Sequence, residues 1–244
     1  MSNPLRDHAA RDKGHEEEHS GTGADWLNRL RAGVLGADDG IVSTAGLVIG
    51  VAGATADRAA ILTAGLAGVA AGAMSMAAGE YVSVASQRDT EQAALRQERR
   101  ELAHNPEGER AELAQMYVDR GLAPELADEV SAQLTAHDAL GAHAEIELGI
   151  RTDDIANPWT AAITSLIAFT LGSILPLLAI SLPPAPWRVP VTFVAVLIAL
   201  AVTGSLSARF GGGSTGRSVT RLVVGGALAM LVTFGIGKLV GQAL

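Results

Sequence analysis

The chain of 244 residues contains no cysteine. Disulfides and thiolate metal sites are therefore excluded, and any bound metal must be held by oxygen, imidazole or thioether. Acid is missing from the whole C-terminal stretch, with no Asp or Glu from Trp159 to Leu244. The net charge of −8 originates in the N-terminal and middle segments and says nothing of nucleic acid, but basic residues form no long run, which argues against a nucleic-acid partner. The N-terminus, MSNPLRDHAARDKGHEEEHSGTGADW, has no apolar core, so no cleaved secretory signal is expected.

What is present is apolar and segregated. Hydrophobic residues make up 48% of the chain and charged residues 18%, gathered into the tail and a central block. A soluble α/β protein would spread its acids through the sequence. Segregation is what a bilayer demands, because buried charge costs several kcal/mol. Five runs are long enough to cross about 30 Å of hydrocarbon as helices: Ala32–Ala56, Ala59–Gln87, Trp159–Leu182, Val189–Ala208 and Leu222–Leu244. Trp159 and Trp187 stand where aromatic belts are expected, and Pro176 is expected to kink the third span. Arg209 to Arg221 reads as a Gly-rich loop.

The fold class read from this pattern is all-α: a five-span helical membrane protein with a cytoplasmic three-helix metal-binding insert between spans two and three. Residues 1–25 read as a disordered polar tail, 26–87 as spans one and two, 88–155 as the insert and 156–244 as spans three to five. Within the tail, His15 to His19 form a solvated charge cluster. No turn signal follows Gln87, so the second span is expected to continue into the insert as far as His104, where Asn105-Pro106-Glu107-Gly108 makes a turn. Two further insert helices are expected over 107–120 and 124–149, the latter broken near His137. Arg29 and Arg31 precede span one, and Arg209, Arg217 and Arg221 lie between spans four and five. The positive-inside rule then puts the N-terminus and insert in the cytoplasm and the C-terminus outside. Glycines four apart, Gly46/Gly50, Gly68/Gly72 and Gly237/Gly241, predict close helix packing, across a dimer or within one subunit.

Acids inside spans are expensive and mark function. Asp39 and Ser43 share a face of span one, and Met76 and Glu80 share a face of span two. Together they offer carboxylate, hydroxyl and thioether, a set that favours transition metals over Mg²⁺ or Ca²⁺. Asp38 is expected at the interface. In the insert, Glu98/Glu101 and Glu109/Glu112 repeat an i, i+3 spacing on either side of the turn. Two antiparallel helices with these faces together would converge four carboxylates, joined by His143 and Glu147 from the third helix.

The stretches RAGVLGADDGIVSTAGLVIGVAGA, AGAMSMAAGEYVSVASQRDTE and AHDALGAHAEIELGI, with their order of spans and insert, resemble the vacuolar iron transporter family of iron and manganese transporters, over about residues 27–244. That resemblance implies a homodimer moving Fe²⁺ or Mn²⁺ out of the cytoplasm in exchange for protons, along a path between subunits. It implies membrane-site roles for Asp39, Met76 and Glu80, and metal binding in the insert by Glu98, Glu101, Glu109, Glu112 and Glu147. The plant-type pattern has Met and Glu where this chain has His143 and Ala144, so the alternatives here are a site re-ligated by His143 and a site that binds fewer ions. No resident cofactor and no enzyme activity are implied; Fe²⁺ or Mn²⁺ are bound and carried ions. The alternatives are a membrane-bound metal sensor and a di-iron oxidase-like protein. The oxidase is disfavoured because ferritin-like sites pair two Glu-x-x-His motifs, and the insert has no such pair. The Ala/Gly/Arg-rich composition points to a bacterial plasma membrane.

Overall fold

The computed structural model describes residues 22–151 and 155–243, with side chains from Gly33 onward. The His15–His19 cluster lies outside the described residues. Seven α-helices are described: α1 (Thr22–Ala54), α2 (Arg58–His104), α3 (Pro106–Asp119), α4 (Pro124–Ile146), α5 (Pro158–Ser181), α6 (Arg188–Phe210) and α7 (Thr215–Ala243). Among the described residues there is no strand. Five helices are long and apolar enough to cross a membrane: α1 from Gly33, α2, α5, α6 with the 3-10 turn before it, and α7. The fold is thus all-α with five candidate spans, and α3 and α4 form the insert with the distal part of α2. Helix α1 starts at Thr22, so the last residues read as polar tail are helical.

Helix α1 is the central post. Ile41, Ala45, Val48 and Ile49 are buried against Ile61, Ile180, Val196, Leu200 and Met230 of the surrounding spans. Such close neighbours need small residues at the crossings, since lipid tails give no hydrophobic reward for helix association. A Cβ placed on Gly40 would strike the carbonyl of Phe169, and one on Gly172 would strike the carbonyl of Ala37. The α1–α5 seam is also tied by hydroxyls: Thr44 donates to Ser173 at 2.9 Å, and Ser173 contacts the carbonyls of Phe169 and Gly40 at 2.8 and 3.2 Å. Gly237 meets the carbonyl of Gly50 in the same manner across the α1–α7 seam, while Gly68 and Gly72 receive Leu47 and the Phe169 ring. All three glycine pairs therefore serve packing within one subunit. Gly40→Val is expected to destabilise the bundle by about 1–3 kcal/mol or more, since backbone rather than a mobile side chain must yield. Helix loss at lower temperature, followed by circular dichroism in detergent, checks this.

One boundary in the C-terminal half differs from the sequence reading. Helix α7 begins at Thr215, so the loop shrinks to a few residues around Gly211–Ser214 and Arg217 and Arg221 ride on a helix. The amide of Ser218 bonds the carbonyl of Ser214 at 3.1 Å, and long Arg stems let a helix extend beyond its apolar span. Helix α5 runs through Pro176, which is buried within it.

Helix α2 is the structural link to the insert. It opens with Asp57 as N-cap, whose carboxylate accepts from the Ala59 amide at 2.9 Å. Its 47 residues span about 70 Å at 1.5 Å per residue, enough to cross a bilayer and project well beyond it. Asn105 then turns the chain: its amide bonds the Glu101 carbonyl at 2.9 Å and its side chain accepts from the Gly108 amide at 3.2 Å. A Cβ on Gly108 would collide with that capping side chain. Pro106 follows at the first helical position, where its missing N–H costs nothing.

Candidate functional site

The membrane acids stand in a cleft of about 490 Å³ between α1, α2 and α5. Asp39, Ser43, Met76 and Glu80 all line it, with Thr44, Ser75 and Phe169. The helix spacing explains the arrangement, because i and i+4 lie one above the other on a face. Gly68, Gly72 and Gly79 contribute wall without side chains, which keeps the cleft open. Asp39 is exposed and Glu80 half-exposed in the single subunit. The Ser43 hydroxyl donates to the carbonyl of Asp39 at 2.6 Å. Asp38, next along the helix, is half-buried, with its Oδ1 enclosed.

The second constellation is in the insert. The turn at Asn105 sets α3 against the distal part of α2, and α4 closes over both. Helix α4 breaks at Asp138, where φ and ψ are −157° and 91°. The Asp138 carboxylate accepts from the Gly141 amide at 3.0 Å and so caps the short helix that carries His143. Arg110 donates to Asp128 at 2.6 Å and Arg120 to the Ile146 carbonyl at 2.6 Å, tying α3 to both ends of α4. Asp128 is thus an exposed ion-pair partner.

Within this frame Glu98, Glu109 and His143 each aim one ligand atom into a common space, all within 4.8 Å of one another. His143 Nδ1 lies 3.1 Å from Glu98, 3.6 Å from Glu147 and 3.9 Å from Glu109. Glu98 is 2% exposed and His143 fully buried. Yet Glu98 Oε1 and both His143 nitrogens lack a partner with hydrogen-bond geometry, despite the short separation. Buried polar atoms are nearly always paired, and a cation among the carboxylates would satisfy Glu98 Oε1 and the His143 Nδ1 that faces it, while Nε2 points away from that space. Glu101 and Glu112 do not join the trio. They are exposed at its edge, and Glu101 accepts from Gln97 at 3.1 Å. The insert holds one Glu-x-x-His spacing, Glu101 to His104, with both residues exposed and no second to pair with it.

Electrostatics record the crowding. Burial pushes the Glu98 carboxyl up to about 7, helped by the carboxylates of Glu147, Glu109 and Glu101 and opposed by His143. Glu109 is raised by burial first and by Glu112 next. A carboxyl whose proton is held up to about 7 favours replacement of that proton by a divalent ion.

A family model described as the VIT family matches residues 30–238. The chain is 46% identical over 226 residues to a protein of Acanthamoeba castellanii named vacuolar iron transporter, covering 91% of this chain and 82% of that one. It is 35% identical over 246 residues to vacuolar iron transporter homolog 2.1 of Arabidopsis thaliana, covering 99% and 94%. It is 39% identical over 227 residues to vacuolar iron transporter homolog 1 of Oryza sativa, covering 91% and 79%.

Proposed function

The chain belongs to the VIT family, and from that membership we propose that it carries divalent transition metal, Fe²⁺ or Mn²⁺, out of the cytoplasm for metal homeostasis. The observation that carries this reading is the cleft that holds Asp39 and Glu80 inside membrane-spanning helices. A scaffold or sensor has no need of acids at that depth, where each is costly. The insert collects M²⁺ at Glu98, Glu109 and His143, with Glu147 beside them and Glu101 and Glu112 raising the local cation concentration. The ion then descends α2 to Met76, Glu80 and Asp39. Carboxylates that lose a proton on binding metal and regain it on release couple the metal to a counterflow of protons.

The cleft is incomplete in one subunit. An exposed Asp39 facing hydrocarbon is untenable, so a second wall must cover it. A second copy of the chain supplies that wall, with the small exposed residues Ser75 and Gly79 of α2 permitting close approach. The distribution of Lys and Arg supports an insert on the cytoplasmic side. The relatives' names place them in the vacuole; for this chain the composition favours a bacterial plasma membrane, with export to the outside.

Uptake into proteoliposomes of the full-length protein tests the proposal, comparing reduced Fe²⁺, Mn²⁺, Zn²⁺ and Ca²⁺ with and without a pH gradient, beside Asp39→Ala. Fe²⁺ or Mn²⁺ uptake that needs the gradient and vanishes in Asp39→Ala is the expected result. No uptake of any ion, with metal still bound by the protein, would make it a sensor or store. Uptake indifferent to the gradient would remove the proton coupling.

A further inference from the structure

A second cavity, of about 360 Å³, lies on the opposite side of α1 from α2, between α1, α6 and α7. Its walls are wholly apolar: Ile49, Val189, Phe193, Val194, Met230 and Phe234 make most of it. No charge or hydroxyl points to a metal or proton here. The position along the helices fixes its depth. Val189 opens α6 and Ile49 is near the end of α1, so the groove is in the leaflet opposite the insert.

Its rim is cationic. Arg188 directly precedes Val189, and its guanidinium is held by the Ala56 carbonyl at 3.0 Å and the Pro183 carbonyl at 3.4 Å, with donors to spare. Lys238 is exposed, and its ammonium sits 5.3 Å over the ring of Phe234, which is itself a wall of the groove. Both belong to the end of α1: Arg188 bonds the Ala56 carbonyl just past it, and the backbone of Lys238 packs on Gly53. The one acid at this end of the bundle, Asp57, spends its carboxylate on capping α2. An apolar slot inside the hydrocarbon, with two cations at its headgroup end, has the complementarity of one class of molecule.

We propose that this groove is a binding site for an anionic phospholipid, its acyl chain lying along Phe193, Met230 and Phe234 and its phosphate held between Arg188 and Lys238. Hydrocarbon supplies the fit in the slot and the cations supply the choice of headgroup, each near-surface cation shifting the preference by about fivefold. The site is on the face away from the metal cleft, so it is independent of the transport reading.

The test uses detergent-purified full-length protein incubated with equimolar palmitoyl-oleoyl phosphatidylglycerol and phosphatidylcholine, with retained lipid counted by native mass spectrometry. Wild type is expected to retain phosphatidylglycerol in preference. Lys238→Gln should lower that preference about fivefold, and Arg188→Gln with Lys238→Gln further. Val194→Trp, at a half-exposed wall position, should lower retention of both lipids without changing their ratio. Metal affinity of the insert, which none of these residues touches, reports that each variant is folded. An unchanged lipid ratio in folded Lys238→Gln would overturn the headgroup assignment. Unchanged retention in Val194→Trp would overturn the groove, and so would a shift in subunit number without a change in lipid, which would make the face a seam between copies.

Discussion

Replacing Glu98 by glutamine is expected to weaken divalent-metal binding by the full-length protein more than about a hundredfold, beyond the loss typical of residues that only orient ligands, while making the metal-free protein harder to unfold. The two effects have opposite signs and one cause. Glu98 is enclosed beside Glu109, Glu147 and His143, and its carboxyl is pushed up to about 7. In the unfolded chain the proton leaves near the ordinary value of 4.5; in the folded protein it stays until about 7. Between those values the folded state binds more proton, so raising the pH favours unfolding. The penalty is complete above pH 7 and amounts to about 3 kcal/mol as an upper figure. Glutamine carries no charge to bury, so Glu98→Gln should abolish that fall in thermal midpoint between pH 5 and 8. Metal binding has the complementary dependence. Below pH 7 an incoming ion must displace the Glu98 proton, and apparent affinity should drop about tenfold per pH unit for that proton. In Glu98→Gln the slope should be smaller by about one proton. Calorimetry in two buffers of different ionisation enthalpy counts the protons released. Unchanged affinity in the variant, or metal binding without proton release at pH 6, would remove Glu98 from the site.

Much of the architecture was legible because a bilayer is an exacting solvent. Spans announce themselves when acids vanish for long stretches, as they do after Trp159. The reversal between α2 and α3 was legible because Asn followed by Pro is both an end and a beginning, and the break in α4 falls at Asp138, beside the position expected. The geometry of the carboxylates was less so. Residues three apart share a helix face only loosely, offset by about 60° around the axis. One member of each pair, Glu98 and Glu109, therefore faces the partner helix, while Glu101 and Glu112 stay at the wet edge. Glu98 and Glu109 meet His143, with Glu147 3.6 Å from its Nδ1, and which member of each pair turns inward depends on packing of Leu95 and Leu113 that no spacing rule contains.

The glycines that carry the closest α1–α5 contact, Gly40 and Gly172, escaped notice. In a chain of 28 glycines, spacing does not distinguish a crossing point from a filler. Gly36 and Gly40 do stand four apart, and that was the available signal. Asp38 and Asp39 also part company on the helix. Neighbours on a helix point about 100° apart, so two adjacent acids near the start of a span do not share a face. Asp39 consequently lines the cleft while an Asp38 oxygen is enclosed in the bundle.

That divergence around α1 sets a steep ranking of effects on transport. Asp39→Asn should reduce metal flux into proteoliposomes by about a hundredfold or more, and Ser43→Ala, one turn away on the same wall, by no more than about threefold. In a cleft of low dielectric a divalent ion gains most from full negative charge, and loss of one carboxylate leaves it short by far more than a hydroxyl dipole can return. Ser43 is moreover turned to the Asp39 carbonyl at 2.6 Å, so its proton is already committed to the helix backbone. Glu80→Gln should fall with Asp39→Asn, since α1 and α2 each bring one acid to the cleft. The insert lies about 27 Å along α2 from Glu80, eighteen residues to Glu98, so metal affinity there should be unchanged in all three variants. Flux retained in Asp39→Asn would take the path out of this cleft. Flux lost equally in Ser43→Ala would mean that helix geometry, rather than carboxylate charge, governs passage.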